Sequence, residues 1–270
     1  MKRWVEAAVL ILLALVFYGC LSSLVYHPDK EISFTPQELG LEHEDLYIAS
    51  ANGKKINAWF FPCENARAVV LFCHGNAGNI SERVSQAWMF HKLELSALLF
   101  DYQGFGQSQG RPSEQGTFDD ARAAWDYLVQ EKGFPPDRII VFGKSLGGAV
   151  AIELATQVKP GLLFVDSSFT STKDVAKAHY PWAPGFLLYS WKYDSLSRIP
   201  NVQAPVCFFH SKQDEVIPFN QGEALFDAAP EPKAFVEISG SHNDGFMKSG
   251  RLYTDAVDAF IKMHMGKNES

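Results

Sequence analysis

The residue whose type and neighbours most clearly indicate a chemical role is Ser145, in the sequence GKSLG at 143–147. The apolar run Ile139–Phe142 before it predicts a buried strand, and the Ala- and Gly-rich pattern Gly148–Val158 after it predicts a helix. A serine between two glycines at a strand-to-helix turn is typical of a nucleophile elbow, because the strained backbone there leaves no room for neighbouring side chains. The helix N-terminus would direct free N–H groups toward an oxyanion formed beside Ser145.

The letters GKS at 143–145 also end the phosphate-binding pattern GxxxxGK[ST]. That pattern requires a glycine five residues before Gly143, and this position is occupied by Arg138. The residues between them have strand character and are not glycine-rich. The sequence therefore excludes a nucleotide-binding loop at this point.

A serine hydroxyl becomes a good nucleophile when a base accepts its proton, and the base needs an acid to orient it. Four histidines follow Ser145. His242 lies in a loop of small residues directly after the last predicted strand, where it can approach the serine. His179 lies in an aromatic-rich insertion, His210 ends a predicted strand, and His264 is in the C-terminal tail. We therefore interpret His242 as the base.

The acid is expected on a loop after a strand, between Ser145 and His242 in chain order. Asp214 has this placement and is the favoured candidate. Asp166 ends the preceding strand and is the alternative. Glu215 could also serve, although adjacent loop residues point in different directions.

Acyl transfer at Ser145 also needs two backbone N–H groups to bind the oxyanion. Leu146, the residue after the nucleophile, is expected to supply one. The other is expected from the HGN loop at 74–76, which follows the strand predicted at Ala68–Cys73. Asn76 is the favoured donor in this loop and Ala77 is the alternative.

These candidates lie where predicted strands end. Two alternating segments around Asn52 and Gly53 predict a hairpin. Strand and helix patterns then alternate as far as the last helix, which predicts an α/β fold whose mostly parallel sheet has helices on both faces. Ligands bind beyond the carboxyl ends of the strands in such sheets. One of the helices, predicted at Thr117–Gln130, is expected to begin with a capping box of Thr117 and Asp120.

The alternation stops at about 167–201, and this segment is expected to form a short cap over the site. It is rich in aromatic residues: Tyr180, Trp182, Phe186, Tyr189, Trp191 and Tyr193. Such rings can form an apolar pocket for an acyl chain, and they can equally pack the insertion onto the sheet.

The chain has 270 residues and 47% hydrophobic composition, enough for one substantial core. The net charge is −7 and no basic stripe is present, which argues against nucleic acid as a partner. The four cysteines lack metal-ligand spacing. We expect no metal site, no disulfide framework and no cofactor.

The N-terminus has the features of a membrane-targeting segment. Lys2 and Arg3 precede the apolar run Ala7–Tyr18, the order found in secretory signals. Residues 17–20 resemble a bacterial lipobox ending at Cys20, which would carry a lipid. Alternatively, the apolar run continues to residue 26 and is long enough for one transmembrane span. Residues 1–26 are therefore expected to anchor a domain at 27–270 to the membrane, on the extracytoplasmic, periplasmic side.

Taken together, five motifs resemble those of the α/β-hydrolase superfamily, and within it the small ABHD-type serine hydrolases with prolyl-oligopeptidase-like catalytic domains. They are HGNAGN at 74–79, DYQGFGQSQG at 101–110, GKSLGG at 143–148, DEVIP at 214–218 and SHND at 241–244. The resemblance implies that Ser145, Asp214 and His242 form the catalytic triad. Lys144 and Ser241 depart from the usual pattern, which leaves the substrate open.

These residues predict a membrane-anchored serine hydrolase that cleaves carboxylic esters or thioesters of small-molecule substrates through an acyl-enzyme. One alternative is a serine peptidase of prolyl-oligopeptidase type, although no segment is available for the large gating domain of those enzymes. The other is a non-catalytic binding module on a hydrolase scaffold. The presence of a suitable residue at every catalytic position argues against this alternative.

Overall fold

The computed structural model describes Ser23 and residues 25–182 and 191–266. The predicted anchor lies largely outside these residues, Cys20 included. Among the helices that the structure describes, none is long and apolar enough to cross a membrane.

The described residues form ten strands, and the central ones coincide with the apolar runs of the sequence. In chain order they are β1 (His27–Pro28), β2 (Glu44–Ala49), β3 (Lys55–Phe61), β4 (Ala68–Cys73), β5 (Ala77–Gly78), β6 (Leu95–Phe100), β7 (Ile139–Lys144), β8 (Leu162–Asp166), β9 (Val206–Ser211) and β10 (Lys233–Ile238). The helices are α1 (Val84–Lys92), α2 (Glu114–Gln130), α3 (Leu146–Gln157), α4 (Thr172–His179), α5 (Ser195–Arg198), α6 (Phe219–Ala228), α7 (Gly245–Ser249) and α8 (Arg251–Met265).

Eight of these strands form one sheet in the order β10-β9-β8-β7-β4-β6-β3-β2. β3 runs antiparallel to both β2 and β6, and the other pairs are parallel. The antiparallel β2–β3 pair confirms the hairpin predicted around Asn52 and Gly53. Because the parallel strands share one direction, their carboxyl ends meet at one edge of the sheet, which we call the carboxyl edge.

Helices cover both faces of the sheet. On one face, α2 and α3 contribute Trp125, Leu128 and Ile152 to a buried apolar cluster with the strands. On the other face, α1 and α8 contribute Phe90 and Phe260 to a second cluster. The central strands β4, β6, β7, β8 and β9 are buried from both sides, which explains why they read as continuous hydrophobic runs rather than alternating ones. The predicted fold class is confirmed.

The predicted start of α2 is wrong. The helix begins three residues earlier, at Glu114, because the Ser113 side chain caps it by accepting the backbone N–H of Gly116. Thr117 is inside the helix, and its hydroxyl donates to the Glu114 carbonyl. Asp120 accepts hydrogen bonds from the backbone and side-chain amides of Gln103 instead of closing a capping box.

Candidate active site

Ser145 lies at the sharp turn between β7 and α3, with φ 55° and ψ −121°. A non-glycine residue rarely adopts a positive φ, so the turn is strained and must be held by its surroundings. The flanking glycines allow this: a Cβ at Gly143 would overlap the Gly147 carbonyl oxygen, and a Cβ at Gly147 would overlap the Cys73 carbonyl oxygen. The close packing against β4 therefore fixes Ser145 at the carboxyl edge.

The structure brings together the three residues that the sequence suggested as nucleophile, base and acid. His242 Nε2 lies 2.9 Å from Ser145 Oγ, and His242 Nδ1 lies 2.7 Å from Asp214 Oδ2. Because a carboxylate can only accept, Nδ1 carries the ring proton. The neutral ring then has its lone pair on Nε2, where it can accept the serine proton.

Asp214 is held as a carboxylate by its surroundings. Its Oδ1 accepts the backbone N–H groups of Val216, at 2.9 Å, and Ile217, at 2.7 Å. Burial alone raises the pKa of Asp214, but the hydrogen bond and charge of His242 and these two N–H groups outweigh it, so the pKa lies below its ordinary value. Asp214 is therefore ionised at neutral pH and can orient the imidazole.

Asp166, the alternative acid, lies apart from the base. Its Oδ2 accepts the hydroxyl of Tyr253 at 2.7 Å, and its Oδ1 accepts the hydroxyl of Ser167 at 2.8 Å. The ammonium of Lys144 is 3.4 Å from the same Oδ2. These contacts tie the end of β8 to α8, so Asp166 supports the fold beside the site and does not contact His242.

Two neighbours of the acid support the triad, and sequence reasoning did not identify these contacts. Glu215 Oε2 accepts the backbone N–H of His242 at 3.1 Å, so it holds the loop of the base rather than its ring. His210 is buried, with Nε2 3.0 Å from the Ile217 carbonyl oxygen and 3.6 Å from Asp214 Oδ2. Burial lowers the pKa of His210 in spite of these oxygens.

The two expected oxyanion donors lie on segments that flank the nucleophile. Leu146 is the first residue of α3, and the first N–H groups of a helix have no acceptor within the helix. The HGN loop passes directly against the serine, because a Cβ built on Gly75 would lie 3.6 Å from Ser145 Cβ. Asn76 follows in this loop, and Ala77 already belongs to β5.

His74 holds the peptide that carries the Asn76 N–H. Its ring is buried, Nδ1 donates to the Gly75 carbonyl at 2.7 Å, and Nε2 lies 3.4 Å from Asp101 Oδ1. The C=O and N–H of a trans peptide point in opposite directions. Fixing the Gly75 carbonyl therefore also fixes the direction of the Asn76 N–H. The only sequence signal for this role was a histidine at a strand end, which sequence reasoning left without a chemical role.

The aromatic residues of the insertion divide into two groups. Trp191 and Tyr193 are buried and belong to the core. Tyr180 and Trp182, by contrast, are 58% and 80% exposed. Phe186 and Tyr189 lie outside the described residues, so the predicted acyl pocket remains a prediction.

Comparison with known proteins identifies the class to which this fold and site belong. A family model described as serine aminopeptidase, S33 matches residues 64–188. The chain is 34% identical to the alpha/beta hydrolase domain-containing protein WAV2 of Arabidopsis thaliana, over 89% of this chain and 87% of that protein. The chain belongs to the α/β-hydrolase family.

Two further proteins are similar to this one. The uncharacterized protein MT2364 of Mycobacterium tuberculosis is 38% identical, over 97% of this chain and 96% of its own length. The structure of the Pyrococcus furiosus esterase Pf2001 superimposes with a TM-score of 0.76 at 18% identity, covering 90% of this chain and 98% of that one. At this identity the second likeness concerns the fold alone.

Proposed function

We propose that the protein is a membrane-anchored serine hydrolase that cleaves carboxylic esters or thioesters through an acyl-enzyme. The observation that carries this proposal is the hydrogen-bonded series from Ser145 Oγ through His242 to Asp214. Such a series activates a serine for attack on an acyl carbonyl.

In the proposed reaction, Ser145 Oγ attacks the acyl carbon while His242 Nε2 accepts the hydroxyl proton. The N–H groups of Leu146 and Asn76 bind the oxyanion, and ionised Asp214 stabilises the imidazolium. His242 then returns the proton to the departing alcohol or thiol. Water, deprotonated by His242, attacks the acyl-enzyme, and the carboxylic acid and free Ser145 are released.

The test uses a fluorophosphonate, in which the serine oxygen displaces fluoride from phosphorus, and a panel of acyl esters and thioesters. We expect wild type to be labelled and to hydrolyse members of the panel. Ser145→Ala should not be labelled, and its turnover should fall by at least about 10³-fold, because only binding and oxyanion stabilisation remain. Ser168→Ala is the matched control, since this buried hydroxyl donates to the Ser145 carbonyl without being the nucleophile. Full activity in Ser145→Ala would refute the proposal.

A peptidase is the second candidate, favoured by the family description serine aminopeptidase, S33. Esters and amides with the same acyl group distinguish the two. If the protein is an esterase or thioesterase, the ester or thioester should be hydrolysed faster and the amide should be cleaved poorly. An N-terminal aminoacyl amide cleaved as fast as the matching ester would favour the peptidase.

The anchor part of the proposal rests on the apolar run Ala7–Tyr18 and on the position of Val25 in the fold. Val25 lies seven positions after Tyr18, and seven residues span at most about 25 Å. Val25 lies at the HGN loop, because its carbonyl accepts the Asn76 side chain. A membrane surface reached by residue 18 is thus close to the site, which suits acyl substrates. Loss of lipid labelling and of membrane association in Cys20→Ala would favour a lipid anchor, and retention of the protein in the membrane would favour a transmembrane one.

A further inference from the structure

A segment that begins with the last two residues of the predicted anchor, 25 and 26, crosses the carboxyl edge of the sheet. We call residues 25–31 the strap. Within it, β1 pairs in parallel with β5, directly after the HGN loop, with His27 opposite Ala77 and Pro28 opposite Gly78. A two-residue parallel pair contributes little to the stability of the fold. Its position directly after the HGN loop instead places it where it can support the active site.

The strap binds Asn76 at two points. The side-chain amide of Asn76 donates to the Val25 carbonyl at 2.8 Å, and the Asn76 carbonyl accepts the backbone N–H of His27 at 2.8 Å. A third bond, from the Asp29 N–H to the Gly78 carbonyl at 3.1 Å, continues the pairing. The strap thus fixes both the side chain and the carbonyl of the residue whose N–H is the proposed oxyanion donor.

The strap is itself attached to the core, so it can hold the loop rigidly. Tyr26 is 2% exposed, its hydroxyl lies 2.7 Å from that of Tyr193, and its ring meets Phe105 edge-on. The carbonyl of Asp29 accepts the backbone N–H of Gly106 at 2.9 Å. The strap therefore connects the C-terminal part of the cap, which contains Tyr193, with the DYQGFG loop and the HGN loop.

We infer that the strap is a positioning element of the active site, which holds the Asn76 N–H in the direction that an oxyanion requires. This inference rests on the proposed function. His74, which is buried, fixes the Gly75–Asn76 peptide through the Gly75 carbonyl. The strap fixes Asn76 through its side chain and its own carbonyl. Because the oxyanion exists only along the reaction path, loss of this support lowers kcat rather than raising KM.

The test is Asn76→Ala in the full chain, which removes the side-chain link to Val25 and keeps the backbone N–H. A misplacement of about 1 Å at a reacting centre costs up to ~100-fold. Since the His27 bond remains, we expect kcat for an acyl ester to fall by roughly 10-fold with little change in KM. The rate of fluorophosphonate labelling and the affinity for a trifluoromethyl ketone of the same acyl chain should fall by a similar factor, because both place an oxygen in the oxyanion hole.

The matched control is Asn79→Ala. This asparagine also donates to the strap, at 2.6 Å to the Glu31 carbonyl, but it lies beyond the HGN loop. A purely structural strap would make the two variants equivalent at equal loss of thermal stability. The inference requires Asn79→Ala to keep kcat within about 2-fold. An equal fall in both variants, or a wild-type labelling rate in Asn76→Ala, would overturn it. If wild-type Ser145 were not labelled, the proposed function would have failed instead.

Discussion

Replacing Asp214 by asparagine tests the direction of the hydrogen bonds in the site. The Oδ1 atom of Asp214 accepts two backbone N–H groups, from Val216 and Ile217. In the variant, the amide oxygen must occupy that place, because an NH₂ group there would face two donors. The NH₂ group then faces His242 Nδ1, which must become an acceptor. The ring proton is forced onto Nε2, toward Ser145 Oγ, and the base cannot accept the serine proton.

The magnitude follows from the loss of general-base catalysis with binding and oxyanion stabilisation retained. We expect kcat to fall by about 10⁴-fold, equivalent to about 5.5 kcal/mol of transition-state stabilisation. KM should change little, since Asp214 is buried behind His242. The assay is steady-state hydrolysis of whichever ester wild type cleaves, together with a thermal melt to show that the variant is folded.

Asp166→Asn is the control for this variant. Asp166 accepts the hydroxyls of Tyr253 and Ser167, and an amide oxygen can replace one of these acceptors but not both. The change should therefore lower stability, by about 1–3 kcal/mol, and leave kcat within about 10-fold of wild type. If Asp166→Asn were the more damaging change to kcat, or if Asp214→Asn kept more than about 1% of activity, the acid would be misassigned.

Three further changes test other parts of the site. Burial lowers the pKa of His210, so the imidazole binds a proton more readily in the unfolded chain than in the folded one. The folded state is therefore destabilised as the pH falls below about 6.5, while this contribution to stability is complete above that pH. Thermal melts from about pH 7 to 5 should show a smaller loss of stability for His210→Gln than for wild type. Gly147→Ala would push a Cβ into the Cys73 carbonyl, and urea unfolding should show a loss of about 1–3 kcal/mol together with weaker serine labelling. Glu215→Ala removes the acceptor for the His242 N–H, and steady-state kinetics should show a fall in kcat of less than about 10-fold, because the Asp214 contact with the ring remains.

The sequence was most informative where local chemistry sets the structure. The turn at Ser145 needs glycines on both sides whatever the distant partners are, so the GKSLG motif between a strand pattern and a helix pattern located it. The central parallel strands are buried on both faces and read as uninterrupted apolar runs, which made the parallel sheet predictable. The start of α2 was misjudged because two polar patterns compete there, and the serine three residues upstream of Thr117 makes the cap.

Contacts between distant segments carried no readable signal. Asn76 and Val25 are 51 residues apart, and nothing in a single asparagine indicates that its side chain binds a backbone carbonyl near the N-terminus. Similarly, His74 has the residue type of a base but a ring that is enclosed in the fold. Only the geometry reveals that it holds the Gly75 carbonyl.

In the proposed reaction, two series of hydrogen bonds support the groups that act on the acyl carbon, and each begins in backbone far from Ser145 in sequence. One runs from the Val216 and Ile217 amides through the acid and base to the nucleophile. The other runs from the strap to Asn76, whose N–H is the proposed oxyanion donor. Both act on charge that develops during the reaction, so changes at their outer ends should lower kcat while leaving substrate binding nearly intact. An enzyme built in this way can be tuned at residues that never contact its substrate.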